Sequence, residues 1–504
     1  MERIRITGRS SKLSLLQMQK VKRKIETAFP NMQVDLLPRE SRGDQLQNIP
    51  LQTVEGSDFF TQDIFDALTN GEADIAVHSL KDMSGSHFFG ENKFAVVERD
   101  DTRDVAVFNK SVEEKIKQGL TIIIGTCSPR REEMAIGFLR KALPQWNNNI
   151  EIQTKIIRGN VDTRLGKLDA GEYDGIILAT AGINRLLKSE EGATEKHAAV
   201  KQLLFDKKFM LLPLIECVPA PCQGAIVAEA HSSNKSAVQV IEAINDKDLM
   251  DQCIAEKKAA LNYGTGCLQK FGVTTINYAP NKKVGYAAGK NETGEAFAHW
   301  FDLPAIDLTN HTLFDATKYM GRFFSYENSI EPISIQQPTA YVANYKAVSN
   351  KHVINQLQTK DVWAAGTKTW YELAKQNIWV TGSADAFGLD FLKEAWQMPL
   401  INIKKKDVCI VTSRQAVNNW QSKDWNAVAT YAINVNQDDN LEEEISKATA
   451  FFWTSIHQYN QYKAIVQSNA LHLCPSGETA SLLKEAGIKL IIFPNIKSFM
   501  QWKK

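Results

Sequence analysis

The chain has 504 residues, 43% of them hydrophobic and 23% charged, with 59 Lys and Arg against 58 Asp and Glu. At roughly 150 residues per domain this length suggests three to four domains, and the composition excludes wholesale disorder. A formal charge of +1 excludes a global field that would draw the protein onto nucleic acid or an anionic membrane, so neither is an expected partner.

The N-terminal stretch MERIRITGRSSKLSLL carries scattered charges instead of an apolar signal core. From there short apolar runs alternate with helical patterns. Strands are expected over 4–7, 34–37, 74–78, 94–98, 105–108, 121–125, 150–157, 175–179 and 225–230. After the first strand, Leu13, Leu16, Val21 and Ile25 keep helical spacing on one face, and further helices are expected over 61–70 and 130–141. This alternation predicts an α/β protein with parallel or mixed sheets.

From 232 to 298 the pattern changes to a helix near 254–263, the glycine-rich GTGCLQKFG and short strand-like pieces, which read as a small α+β unit. Periodicity is weak over 309–337, so a domain junction is expected there. Strands then recur at 361–365, 378–381, 408–413, 451–455, 471–475 and 490–494, with a helix over 479–486, giving a second α/β module. No run approaches the ~18 apolar residues of a membrane-spanning helix. The seven cysteines, Cys127, Cys217, Cys222, Cys253, Cys267, Cys409 and Cys474, form no CxxC pair. Neither a disulfide framework nor a metal site is expected, and a reduced, cytoplasmic protein is.

The candidate chemistry gathers at strand ends. Arg130 and Arg131 in GTCSPRR, Arg158 and Arg164 in IIRGNVDTRLGKL, Arg9 and Arg185 all follow apolar strands. Free backbone N–H groups favour anions there, and open α/β sheets bind ligands at that edge. Taken singly, each arginine could be a solvated cap; six repeating after strand ends point to a polyanion carrying several carboxylates or phosphates. HSLKD places Lys81 and Asp82 at the same kind of edge. Asp82 is there either as an ion-pair partner or as a charge set to meet a developing cation. Cys267, flanked by glycine, is either buried filler or an accessible nucleophile or attachment point.

RITGRSSKLSLLQ, SRGD, ADIAVHSLKD, ERDDTRDV, IGTCSPRR, IIRGNVDTRLGKLDAGEYDGIILATAGINRL, PAPCQGAI and GTGCLQKFG follow one another over about residues 3–300. In this order and spacing they resemble the hydroxymethylbilane synthase (porphobilinogen deaminase) family. The resemblance implies two α/β domains like type II periplasmic binding proteins and a small α+β domain carrying the cofactor cysteine. Expected boundaries are 1–99 plus 203–230, 100–202 and 231–305. It further implies a monomer that deaminates and joins four porphobilinogen molecules into linear hydroxymethylbilane on a dipyrromethane cofactor, bound by a thioether to Cys267.

By motif position Asp82 would stabilise the positive pyrrole species as ammonia leaves. Arg9, Ser11, Lys81, Thr126, Ser128, Arg130, Arg131, Arg158, Arg164 and Arg185 would bind the acetate and propionate carboxylates, and Asp44 and Gln223 fall at family site positions. Ser57 and Gln62 stand where the family commonly has lysines, Pro129 replaces a leucine, and Leu268 replaces a glutamine. Neither Asp82 nor Cys267 is touched by these departures.

Residues 306–504 resemble, more weakly, uroporphyrinogen III synthase, through DVWAAGTKTWYELAKQNI, DVCIVTSRQAV, AFFWTSIHQYNQY and CPSGETASLLKEAGIK. That family closes hydroxymethylbilane with inversion of the last ring. Thr367, Thr369, Ser476 and Thr479 are then either carboxylate-holding hydroxyls at helix starts or ordinary caps. The competing expectations are a non-enzymatic anion-binding protein on the same fold, and a synthase with a non-catalytic tail.

Overall fold

The computed structural model describes residues 3–40, 62–147, 149–188, 195–264, 269–330 and 332–504. It is a mixed α/β structure, as the alternation predicts. Contacts divide it into two units, one of 1–140, 149–275 and 285–298, the other of 141–148, 276–284 and 299–504.

The first unit contains two sheets built to one plan. In the first, the strand order is Gln33–Arg39, Arg3–Arg9, Ile75–Ser79, Ala225–Ala230, Lys93–Arg99. In the second it is Ile152–Lys155, Ile122–Gly125, Gly175–Ala179, Asp104–Phe108, Lys208–Leu211. The first three strands of each are parallel, and the fourth runs antiparallel to its neighbours. That fourth strand follows a crossing of the chain: 100–103 leads into the second sheet, and 212–224 leads back to the first. The parallel strands therefore bring their following loops to one edge of each sheet, where a parallel α/β sheet places ligands.

Helix Lys12–Ala28 covers the first sheet. Its buried stripe is Ser14, Gln17, Met18, Val21 and Ile25, so Leu13 and Leu16 of the expected face are only half-buried flanks. Leu13 lies instead beside Gly182 of helix Thr180–Lys188. Gln17 tolerates burial because its amide donates to Ser79 Oγ at 2.8 Å. The helix expected near 254–263 spans Lys247–Leu261, capped by Asp246, which accepts from Leu249 N at 3.0 Å. Three strands, Lys270–Ala279, Lys282–Lys290 and Ala296–Phe301, form a further sheet in chain order.

In the second unit, a six-stranded sheet is ordered Phe324–Asn328, Asn426–Val435, Val408–Ser413, Thr339–Val342, Asp361–Ala364, Val380–Ser383. A parallel four-stranded sheet is ordered Leu313–Asp315, Ala450–Phe452, Leu471–Pro475, Leu490–Phe493. The weakly periodic 309–337 stretch thus supplies one strand to each. The strand expected at 378–381 begins two residues later. Asn377, at φ +60°, ends helix Thr367–Lys375, and the N–H groups of Asn377 and Ile378 bond the carbonyls of Ala374 and Leu373. Ile378 therefore closes a helix C-terminus in a Schellman motif.

One buried carboxylate ties the first unit together. Glu256, fully buried, accepts both terminal nitrogens of Arg99 at 2.8 Å, and the backbone N–H groups of Cys222 and Thr275 at 2.7 Å. It joins helix Lys247–Leu261 to the first sheet's edge, to the returning crossing and to strand Lys270–Ala279. Removing one member of such a pair leaves the other charge uncompensated. Glu256→Ala should destabilise this unit by about 3–5 kcal/mol, read as a lowered urea midpoint; a loss below about 1 kcal/mol would mean that the network carries little.

Candidate functional site

Strand Ile75–Ser79 ends in a single helical turn, Leu80–Asp82. Leu80 and Met83 are buried in a cluster with Phe88, Val96 and Cys222, and this anchoring leaves Lys81 half-buried and Asp82 exposed between them. Strand Ile122–Gly125 similarly leads through Thr126, Cys127 and Ser128 into helix Pro129–Ala142. Pro129 suits a first helical position because its missing N–H would be unpaired there. Ser128 Oγ accepts from Arg131 N at 3.4 Å, and buried Thr126 Oγ1 accepts from Ser128 N at 3.2 Å. Arg130 and Arg131 thus occupy the first turn.

Both arginines are buried, and both close on Asp104, the first residue of the strand after the outward crossing. Arg130 Nη2 donates to Asp104 Oδ2 at 2.9 Å, and Arg131 Nη2 to Oδ1 at 2.8 Å. Gln223 Nε2, from the returning crossing, donates to the same Oδ1 at 2.9 Å. The remaining Nη1 groups donate to the carbonyls of Val218 and Ile177 at 2.7 and 3.1 Å. Burial alone would push the Asp104 carboxyl up, but the two guanidiniums and the Gln223 amide outweigh it and hold it well below the usual carboxylate range.

Lys81 lies within the field of Arg130, Arg131, Asp82 and Asp104; burial, with the two arginines beside it, pushes its ammonium below the ordinary lysine value. Three cations therefore face two carboxylates, and the excess is positive. Arg164, half-buried in helix Val161–Asp169, donates Nε to Gly159 O at 2.8 Å and bonds the Cys127 thiol, within range of Arg131 and Arg158. Arg9 ends the first strand, two residues past the Thr7–Ala76 pair, and is half-buried. Ser11 caps helix Lys12–Ala28, accepting from Ser14 N at 3.4 Å.

Arg185 is placed differently. It is buried, with Nε on Asp100 Oδ2 at 2.6 Å and Nη2 on Gly224 O at 2.5 Å, so it joins the two crossings to each other. Gly224 sits at φ +84°, and a Cβ there would lie 2.4 Å from Asp100 O, so only glycine fits. Asp44, Cys267 and the departure at Ser57 lie outside the described residues, as does the Gln62 side chain. Sequence reading missed Asp104 as a functional residue. Its motif, ERDDTRDV, offers three aspartates, and only the folded crossing selects the one that meets the arginine pair.

The family model described as "Porphobilinogen deaminase, dipyromethane cofactor binding domain" matches residues 4–239. Over that segment the chain is similar to the porphobilinogen deaminase family. The family deaminates porphobilinogen in tetrapyrrole synthesis, and the matched domain binds a dipyrromethane cofactor. The residues present fit such a group. Its pyrroles carry acetate and propionate, Lys81, Arg130 and Arg131 outnumber Asp82 and Asp104 beside them, and Arg131 Nε is a buried donor with no partner.

Among solved structures, YhfZ from Shigella flexneri is 10% identical, covering 52% of this chain and 91% of that one at a TM-score of 0.26. The BenM effector-binding domain with benzoate is 17% identical, covering 48% and 91% at 0.25. A structure from work on glutathione import through GshT in Streptococcus mutans is 12% identical, covering 53% and 98% at 0.25. No helix among the described residues is long and apolar enough to cross a membrane, and none of their His, Cys, Asp and Glu side chains form a metal-binding group.

In the second unit, the four hydroxyls singled out from sequence divide. Ser476 Oγ is spent on Pro494 O at 2.6 Å and Thr479 Oγ1 on Thr454 O at 3.2 Å, while Thr369 is buried. Thr367 Oγ1 alone of the four is a buried oxygen without a partner. Beside it on the same helix, exposed Lys368 lies 4.2 Å from the centre of the Tyr345 ring, and Lys346 lies 4.2 Å from that of Tyr326.

The Asp104 pairing has a pH signature. Because its folded carboxyl is held below the unfolded value of 3.8, its contribution is complete above that value and is lost as pH falls below it. Asp104→Asn should cost about 3–5 kcal/mol at pH 7, and the gap from the native chain should narrow in urea titrations run at progressively lower pH. A gap that stays constant into acid would exclude an ionised Asp104 as the cause.

Proposed function

We propose that the first unit is a hydroxymethylbilane synthase, joining four porphobilinogen molecules head to tail with release of ammonia. In this reading the dipyrromethane is attached through Cys267. The observation that carries it is Asp82, an exposed carboxylate at the mouth of a cluster whose cations are in excess, within a segment similar to the deaminase family. A protein that only bound polyanions would gain nothing from a carboxylate there. An enzyme that expels ammonia must meet a cation.

The bound cofactor supplies the nucleophilic pyrrole carbon that starts the chain. The protein's own groups do the rest. Lys81, Arg131, Arg158 and Arg164, with Arg9 across the same sheet edges, neutralise substrate carboxylates as the chain grows. As the aminomethyl C–N bond breaks, the pair leaves with nitrogen and the pyrrole becomes positive. Asp82 stabilises that charge, and its fixed position at the strand end spares reorganisation when the charge appears. Arg130 and Arg185, bound to Asp104 and Asp100, act by holding the two crossings, and Ser11, Thr126 and Ser128 by fixing the helix starts beside the cations. Gln223 orients Asp104.

The second unit, in this proposal, closes the linear product to uroporphyrinogen III. Its support is the order of its sequence motifs, the parallel strand ends that carry Thr367 and Ser476, and two lysines, Lys346 and Lys368, suited to carboxylates. Fusion would give the released product a high effective concentration at the second site.

The intact mass of the denatured protein tests the first proposal. After incubation with porphobilinogen the expected result is a covalent excess of one dipyrromethane on the peptide holding Cys267, absent from Cys267→Ser. A chain that stays unmodified would instead favour a binding protein. Asp82→Ala should keep the fold and lower ammonia release by roughly 10²-fold or more; near-native turnover would refute the role given to Asp82.

A further inference from the structure

Outside the cationic cluster of the first unit, the second unit holds one carboxyl group whose surroundings are unlike those of any paired acid described above. Glu478 opens helix Glu478–Glu485 directly after strand Leu471–Pro475. Its Oε1 is buried and has no hydrogen-bond partner. The nearby cation, Lys423, is already engaged with Glu485 at 3.0 Å. The charge of Glu478 acts on the phenols of Tyr341 and Tyr431, which stand on strands of the other sheet, as does that of Asp390 on Tyr341. The carboxyl therefore faces from one sheet of this unit toward the other.

The loop 384–388 fixes that placement. Gly388, at φ +93°, meets Gly477 so closely that a Cβ on it would lie 2.6 Å from Gly477 Cα and 3.6 Å from Glu478 N. The same loop abuts the other helix start, since Gly366 packs on Ala386 and Ala386 N donates to Ala365 O at 2.9 Å. Thr367 Oγ1 and Glu478 Oε1, two buried oxygens without partners, thus stand on two helix starts that touch one loop. An unpaired buried polar atom is costly unless a ligand completes it.

We propose that Glu478 is the proton donor of this second site, giving its carboxyl proton to the terminal hydroxyl of hydroxymethylbilane as that group leaves. The inference rests on the cyclase reading of the unit. Closure requires the hydroxymethyl C–O bond to break. Its electron pair goes to oxygen, which takes the proton from Glu478 and departs as water, while the pyrrole nitrogen lone pair fills the deficit on carbon. For isomer III the electron-poor carbon bonds to the substituted α-carbon of the last ring, and that carbon's older bond to its bridge breaks. The freed bridge carbon then bonds to the ring's unsubstituted α-carbon, whose surplus proton passes to the Glu478 carboxylate, so nothing is oxidised or reduced. Burial, aided by Glu485 and opposed by Lys423, pushes the carboxyl up to about 7, so a large fraction carries its proton near neutrality.

The test supplies the full cofactor-loaded chain with porphobilinogen and measures the isomer III formed per hydroxymethylbilane released. Isomer III formation by Glu478→Gln should fall by roughly 10²-fold or more, and the native profile should decline above a pH of about 7 with a limb that the variant lacks. Glu478→Leu, which also removes the buried polar atom, should fall equally while keeping or raising the melting temperature. Isomer III within twofold of native in Glu478→Gln, or an unchanged pH limb, would overturn the proposal while leaving the cyclase reading intact. A native chain that yields isomer I alone would overturn both.

Discussion

The geometry of the first unit depends on a single carboxylate serving two guanidiniums. Arg130 and Arg131 are adjacent in sequence, buried, and of like charge. Burying either without a counter-charge would cost several kcal/mol. Asp104 removes that cost for both, because its two oxygens each take one fork and Gln223 shares one of them. The four residues come from a helix start, from the strand after the outward crossing, and from the return crossing. The electrostatic pairing therefore also fixes how the chain passes between its two sheets. Arg185, by binding Asp100 and Gly224 O, repeats the device where each crossing meets the first sheet.

This arrangement leaves a net positive remainder where it is useful. A cluster fully matched by internal carboxylates would hold no attraction for a polyanion. One without any carboxylate would not fold. Three cations against two acids is intermediate, and the acid nearest solvent is Asp82. Exposure separates the two aspartates: Asp104 is buried and paired with both arginines, whereas Asp82 lies open to solvent.

Much of this was legible in the sequence. The apolar strands are short and continuous, so nine strand positions could be read directly, and the arginines at or beyond strand ends with them. What escaped detection did so for physical reasons. Asp104 meets its partners 26, 27 and 119 residues away, and nothing local marks it. Helix Lys247–Leu261 buries Glu256 and Lys257 alongside Cys253 and Ala260, so half of its buried face is charged and no apolar period announces its first two turns. Strand Asn426–Val435 has three alanines interspersed among its β-branched residues and is half-exposed, so no clean alternation marks it. Ile378 looks like the start of a strand because a Schellman closure also asks for an apolar residue. Glu478 sits in an ordinary SGET helix start, and only the opposite sheet reveals that its carboxyl is unpaired.

Asp104 and Glu478 show the same desolvation resolved in opposite ways. Each carboxyl loses water on folding, which by itself favours the neutral form. Asp104 is met by two guanidiniums and an amide and stays ionised, so it can only accept hydrogen bonds. Glu478 has beside it a lysine already bound to Glu485, and burial lets its neutral form persist to much higher pH. A neutral carboxyl can donate. The fold thus keeps one buried acid as a fixed negative charge and leaves the other able to hold its proton, and the difference lies in which cations are brought within reach.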